Sequence, residues 1–96
     1  MNISKNDIMF ITYAIYNAEK DKIYIGQTAD LDKRMARHNH ILPNRKNSYT
    51  SRNPGFWKVV YQEEHFTRNE SLQREKALKS EWGRGFVRSL IDNMRP

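Results

Sequence analysis

Tyr13-Ala14-Ile15-Tyr16 and Ile23-Tyr24-Ile25-Gly26 decide how this chain is read. The residues from Ile8 to Tyr16 are almost all apolar or β-preferring, which predicts a strand buried on both faces for much of its length. Asn17 to Asp21 is polar and turn-like, and Lys22 to Gly26 alternates as a second strand, so the two predict a hairpin. Residues two apart on a strand share a face. A register that opposes Tyr16 to Lys22 or to Tyr24 sends Tyr16 and Tyr24 to one face. Ile15, Ile23 and Ile25 then turn the other way, into the core.

Beyond the hairpin, Thr28 and Asp30 are good helix-start residues. Leu31, Met35 and their neighbours recur at helical spacing to about His38. Arg34 and His38 are one turn apart on that helix, as are Lys33 and Arg37. His40 to Gly55 reads as a long polar loop bearing Arg45, Lys46, Tyr49, Thr50 and Arg52. Phe56 to Phe66 predicts a third strand, with Trp57, Val59 and Tyr61 on one face and Lys58, Val60 and Gln62 on the other. Thr67-Arg68-Asn69-Glu70 has the pattern of a capping box. It opens a helix expected to run to about Trp82, where Gly83 and Gly85 break it. Phe86 to Ile91 predicts a short final helix. The order is β-β-α-loop-β-α-α, an α+β pattern.

Ninety-six residues suffice for one domain and hardly for two, and the expected core spans about residues 8–92. The net charge of +6 suits a polyanionic partner, most often nucleic acid. There is no cysteine, which excludes disulfides and thiolate metal sites and is compatible with a reducing cytoplasm. No apolar run approaches the roughly 20 residues that span a bilayer. Met1 to Asp7 lacks the apolar core of a signal peptide. The expectation is a cytoplasmic protein with no membrane partner.

Tyrosine, arginine, histidine and a lone carboxylate are the parts needed to cut a phosphodiester with one metal ion. Tyr16 and Tyr24, on one face beside a basic helix, would hold or deprotonate the attacking water, because nearby positive charge favours a phenolate. Arg34 would grip the phosphate through paired hydrogen bonds and stabilise its extra charge in the transition state. His38 is a candidate for catalysis or phosphate contact. Glu75 stands between Leu72, Leu78 and Trp82 on what reads as an apolar helical stripe. A carboxylate there needs a cation, either a metal or Lys79 or Arg34. A hard oxygen ligand without a second obvious carboxylate suits Mg²⁺ (or Mn²⁺), one ion per site. Asp30 and Asp32 are alternative ligands, although helix capping accounts for Asp30. Lys33, Arg37, Arg45, Lys46, Tyr49, Thr50 and Arg52 are candidate nucleic-acid contacts. A zinc site from His38, His40 and His65 fails on spacing.

These residues resemble the GIY-YIG nuclease family. The first signature corresponds to Ala14-Ile15-Tyr16 and the second to Tyr24-Ile25-Gly26. The run from Gln27 to His38 is similar to the family's Gly-x-Thr-x-Asp-Leu-x-x-Arg-x-x-x-His. Tyr49-Thr50, Trp57 to Tyr61 and Glu70 to Lys76 resemble the small stand-alone bacterial members, near the YhbQ-like group. The resemblance implies a three-stranded antiparallel sheet flanked by helices. It also implies one divalent metal on Glu75, Arg34 on the scissile phosphate, and Tyr16 and Tyr24 handling the water. The function expected is a metal-dependent endonuclease that nicks DNA in repair or recombination, with branched or structured DNA and RNA as further substrates. The rival readings are a nucleic-acid-binding module with weak catalysis and an accessory domain for a protein partner.

Overall fold

The computed structural model describes residues 9–94. The readings of Met1 to Asp7, and of Ile8 as the start of a strand, fall outside the described residues. Seven elements follow in order: β1 (Phe10–Asn17), β2 (Lys22–Thr28), α1 (Leu31–His38), α2 (Tyr49–Arg52), β3 (Trp57–His65), α3 (Arg68–Leu78) and α4 (Glu81–Met94). The expected β-β-α-β-α-α order is present, with a single helical turn, α2, inside the long polar loop. The three strands form one antiparallel sheet in the order β2-β1-β3. Central β1 is covered on both faces, which explains its near-continuous apolar sequence. Tyr13 and Ile15 pack with Trp57 under Leu31, Met35 and Tyr49 of α1 and α2. Ala14 packs on the opposite side with Ile25, Val60, Leu78, Val87 and Ile91, beneath α3 and α4.

The hairpin register departs from the expected one. Asn17 pairs with Lys22, so Tyr16 lies opposite Ile23, and Tyr24 lies opposite Ile15. Cross-strand partners share a face, and a slip of one residue exchanges the faces. Tyr16 therefore points with Ala14, Ile23 and Ile25 towards α3 and α4, whereas Tyr24 points with Tyr13 and Ile15 towards α1. The Tyr16 hydroxyl donates to Asp21 Oδ1 at 2.7 Å, and the Arg88 guanidinium lies 5.8 Å from its ring centre. Arg88 also donates to the Asp21 carboxylate and carbonyl, at 2.5 and 3.1 Å. Tyr16 thus ties the hairpin turn to α4.

A second correction concerns β3. Its pairing with β1 shifts between Ala14 and Ile15, which leaves Val60 as an extra residue, a β-bulge. Trp57 and Val59 share a face as expected, and it is the α1 face, but beyond the bulge Tyr61 turns to the α3 side with Val60. There Glu63 gathers the Tyr61 hydroxyl, His65 Nε2 at 2.9 Å and Arg74 Nε at 2.6 Å. That cluster, with the hydrogen bond from Thr12 Oγ1 to the Ser71 carbonyl at 2.8 Å, docks α3 on the sheet.

The third correction is the break between the last two helices. Thr67 and Glu70 form the expected capping box, but α3 stops at Leu78, not near Trp82. Ser80 Oγ accepts from Gly83 N at 3.2 Å and starts α4, which runs straight through both glycines. Gly83 is needed for packing: a Cβ there would sit 2.4 Å from Leu78 Cα and from its carbonyl oxygen. Gly85 faces open space. Overpacking against backbone costs about 1–3 kcal/mol, whereas replacing an unencumbered helical glycine gains about 0.5–1 kcal/mol. Gly83→Ala should therefore lower the urea midpoint and Gly85→Ala should raise it. Shifts of the same sign would refute this account of the junction.

Candidate active site

Tyr13, one of the two tyrosines in the first segment, was missed as a site residue, yet it lies at the centre of the site. It is fully buried on β1, and its Oη accepts from Arg34 Nε at 3.2 Å. On the other side it meets His38 Nε2 at 2.8 Å. Arg34 Nη2 also donates to Tyr24 Oη at 3.3 Å. The strands supply both phenols, and α1 supplies Arg34 and His38 from one helical face. Asp30 caps α1 by accepting from Lys33 N at 3.1 Å, which sets where the helix starts and so where that face points. Gly26 lies opposite Tyr13 in the sheet, and a Cβ there would come within 2.8 Å of the Tyr13 hydroxyl and 2.9 Å of the Tyr24 ring. The glycine of Tyr24-Ile25-Gly26 is thus the space in which the Tyr13 phenol sits.

The hydrogen-bond directions follow from counting protons. Arginine only donates, so the single Tyr13 proton points to His38 Nε2. His38 then carries its own proton on Nδ1 and donates it to Thr50 Oγ1 at 2.9 Å, where Asn44 Nδ2 also donates at 2.9 Å. The chain runs Arg34 to Tyr13 to His38 to Thr50. Burial, then Tyr24, pushes the Tyr13 phenol well above its ordinary value, and the charge of Glu75 adds to the rise. Burial opposes the Arg34 charge, but hydrogen bonds to Tyr13 and Tyr24 outweigh it and raise that group. Burial and then Arg34 push His38 down to about 4. At neutral pH the phenol and imidazole are uncharged and the guanidinium is charged.

The arginine opens into a cleft of about 920 Å³. Its wall includes Tyr24, Arg37, His38, Asn44, Arg45, Lys46, Tyr49 and Thr50. The Tyr49 ring stacks on Tyr24 at 6.2 Å and meets Trp57 edge-on. The intervening loop is pinned to the sheet by asparagines. Asn39 exchanges hydrogen bonds with the Trp57 backbone at 2.7 and 3.0 Å, and Asn17 donates to the Asn53 and Pro54 carbonyls at 3.1 Å each. Of the expected nucleic-acid contacts, Arg37, Arg45, Lys46 and Tyr49 line the cleft, whereas Lys33 and Arg52 lie outside its wall. Thr50 also lines the cleft, and its buried hydroxyl oxygen accepts from His38 and Asn44. Both His38 nitrogens are likewise engaged, which leaves neither for a phosphate.

Glu75 sits differently from the sequence reading. Leu72 is 44% exposed and Trp82 68%, so the apolar stripe reduces to Leu78. The carboxylate is paired with Lys79 Nζ at 2.7 Å. Among the described residues, no three His, Asp or Glu side chains gather to hold a metal by protein ligands alone. Glu75 lines a separate groove with Leu72, Lys76 and Lys79 and not the wall of the Arg34 cleft. A single carboxylate of this kind fits a hard cation that keeps most of its waters and shares a substrate phosphate. It does not fit a protein cage. Among the described residues, no helix is long and apolar enough to cross a membrane.

The family model for the GIY-YIG catalytic domain matches residues 9–86. The chain belongs to that family. Among curated proteins none matches it. GIY-YIG membership carries a nuclease-type function with a nucleic-acid substrate. Tyr13 was legible in one respect: on a strand it shares parity with Ile11 and Ile15, the residues of the α1 face. What hid it was the hairpin register, which alone decides which β1 tyrosine joins Tyr24.

The buried imidazole makes stability depend on pH with a definite sign. His38 titrates near 4 when folded and returns to 6.5 when unfolded, so the unfolded chain binds more protons between those values. Its contribution is complete above about pH 6.5 and is lost as the pH falls towards about 4, up to about 3 kcal/mol. Urea unfolding of wild type and His38→Gln at neutral and mildly acidic pH should show a steeper loss in wild type. Equal losses would show that His38 does not titrate in this way.

Proposed function

We propose that the chain is a metal-dependent endonuclease that nicks DNA by hydrolysing a phosphodiester. The observation that carries this is the Arg34 guanidinium, anchored by the hydroxyls of Tyr13 and Tyr24 at the base of a cleft walled by further cations. Two of its N–H groups are taken by the phenols, and the rest remain for a phosphate. Tyr24 lines the cleft and is the phenol that holds the attacking water in line. Tyr13 is fully buried and protonated, so it acts by positioning Arg34, with His38 and Thr50 behind it. Arg34 stabilises the charge that builds on the phosphoryl oxygens in the transition state. Glu75 would hold one Mg²⁺ or Mn²⁺ once Lys79 gives way. When bound, the ion supplies Lewis-acid charge at the scissile phosphate.

Repair or recombination of branched or structured DNA is the setting proposed for this chemistry, with RNA as a second substrate to be tried. A reducing cytoplasm as the compartment agrees with the lack of cysteine.

The deciding assay is nicking of supercoiled plasmid and of branched DNA, with and without Mg²⁺ or Mn²⁺. Glu75→Gln and Arg34→Ala should each lower nicking by about 100-fold or more while the protein stays folded. Arg34→Ala should reduce turnover more than DNA affinity, because its interaction strengthens in the transition state. Tyr13→Phe should be strongly impaired and Tyr16→Phe close to wild type; the reverse ranking would overturn the site drawn here. Metal-dependent nicking retained by Glu75→Gln would remove Glu75 as the ligand. DNA binding without nicking would favour a binding module, and absence of nucleic-acid affinity an accessory domain.

A further inference from the structure

A second, smaller cleft of about 190 Å³ adjoins the first. Its wall is Ile23, Tyr24, Ile25, Tyr49, Lys79 and Arg84. The two clefts share Tyr24 and Tyr49, whose stacked rings form the ridge between them. The first draws its cations from α1 and the loop, and the second from the junction of α3 and α4. The chain has 11 acidic residues, yet among the described residues no Asp or Glu lines either cleft.

We propose that a bound strand crosses the Tyr24–Tyr49 ridge and places its next phosphate in this second cleft, on Arg84 and Lys79. The proposal rests on the nucleic-acid reading above and extends the substrate path beyond the residues assigned so far. The distribution of ion pairs supports it. Arg74 and Arg88, the cations of α3 and α4 directed at the sheet and hairpin, are neutralised by Glu63 and Asp21. Arg84 forms no salt bridge among the described residues. Its Nε donates to the Lys79 carbonyl at 3.2 Å, which orients the guanidinium and leaves its terminal N–H groups for a ligand. Such a fork matches two phosphate oxygens. Lys79 is half exposed, and its only anionic partner among the described residues is Glu75. A divalent cation taken up by Glu75 would release the ammonium towards the cleft. The aromatic ridge offers faces on which a base can stack irrespective of its identity. The apolar floor of Ile23 and Ile25 suits a sugar and not a second anion.

The test is fluorescence anisotropy of a labelled duplex and a labelled single strand, titrated with wild type, Arg84→Ala, Arg84→Gln and Lys46→Ala over a salt series. Arg84→Gln keeps an N–H donor for the Lys79 carbonyl and removes the charge and the terminal N–H groups, so it guards against a folding defect in Arg84→Ala. Both Arg84 variants should bind several-fold more weakly. Each should make the log–log salt dependence shallower by about 0.9 on duplex, or about 0.7 on single strand, for the one phosphate no longer neutralised. Thermal midpoints should stay at the wild-type value for Arg84→Gln. If Lys46→Ala weakens binding while both Arg84 variants match wild type, the second cleft is not a phosphate site and the nuclease reading stands. If wild type itself binds neither probe at low salt, the nucleic-acid reading fails, and this site with it.

Discussion

The Tyr13 hydroxyl is the point on which this structure turns. It is a buried phenol between a permanent cation and an imidazole, and it has one proton to give. Because Arg34 cannot accept that proton, it goes to His38, and the tautomer of His38 and its hydrogen bond to Thr50 follow. The Tyr13 oxygen, both His38 nitrogens and the Thr50 oxygen each thereby have a hydrogen-bond partner. An interior with a low dielectric makes such a chain stiff and makes any missing member costly. The guanidinium is held in place before a substrate arrives, which is what electrostatic stabilisation of a transition state requires.

That arrangement depends on the sheet. β1 is central, so its two sets of side chains serve different partners. One set builds the site beneath α1 and α2, and the other anchors α3 and α4. The two tyrosines of Tyr13-Ala14-Ile15-Tyr16 fall on opposite sides and do different work. Tyr13 positions the arginine. Tyr16 binds Asp21 and packs under Arg88, closing the hairpin against the last helix. Gly26 completes the logic, because only a missing side chain leaves room for the Tyr13 hydroxyl.

Charge is sorted in the same spirit. Carboxylates pair with cations on the α3–α4 side, at Glu63 with Arg74 and at Asp21 with Arg88. No Asp or Glu among the described residues lines either cleft, and of the cleft cations Lys79 alone is ion-paired among the described residues, with Glu75. Six of the chain's cations, Arg34, Arg37, Arg45, Lys46, Lys79 and Arg84, thereby line the two clefts where a polyanion would lie.

Much of this was legible in the sequence. Strand and helix periods, the Thr67–Glu70 capping box and the Asp30 cap are local properties, so the element order could be read directly. Tyr24, Arg34 and His38 could be brought together because a helix fixes which residues share its face and Tyr24 lies on the strand that leads into it. Three features depended on how the elements pair and pack. The first is the parity of the hairpin, in which pairing Asn17 with Lys22 exchanges Tyr16 for Tyr13 beside Tyr24. The second is the Val60 bulge, which reverses the side of Tyr61. The third is the helix break at Ser80, where close approach to Leu78 makes Gly83 part of a helix instead of its end. A period of two cannot reveal its own starting phase. That phase came from which faces the helices cover, and no local stretch of sequence carries it.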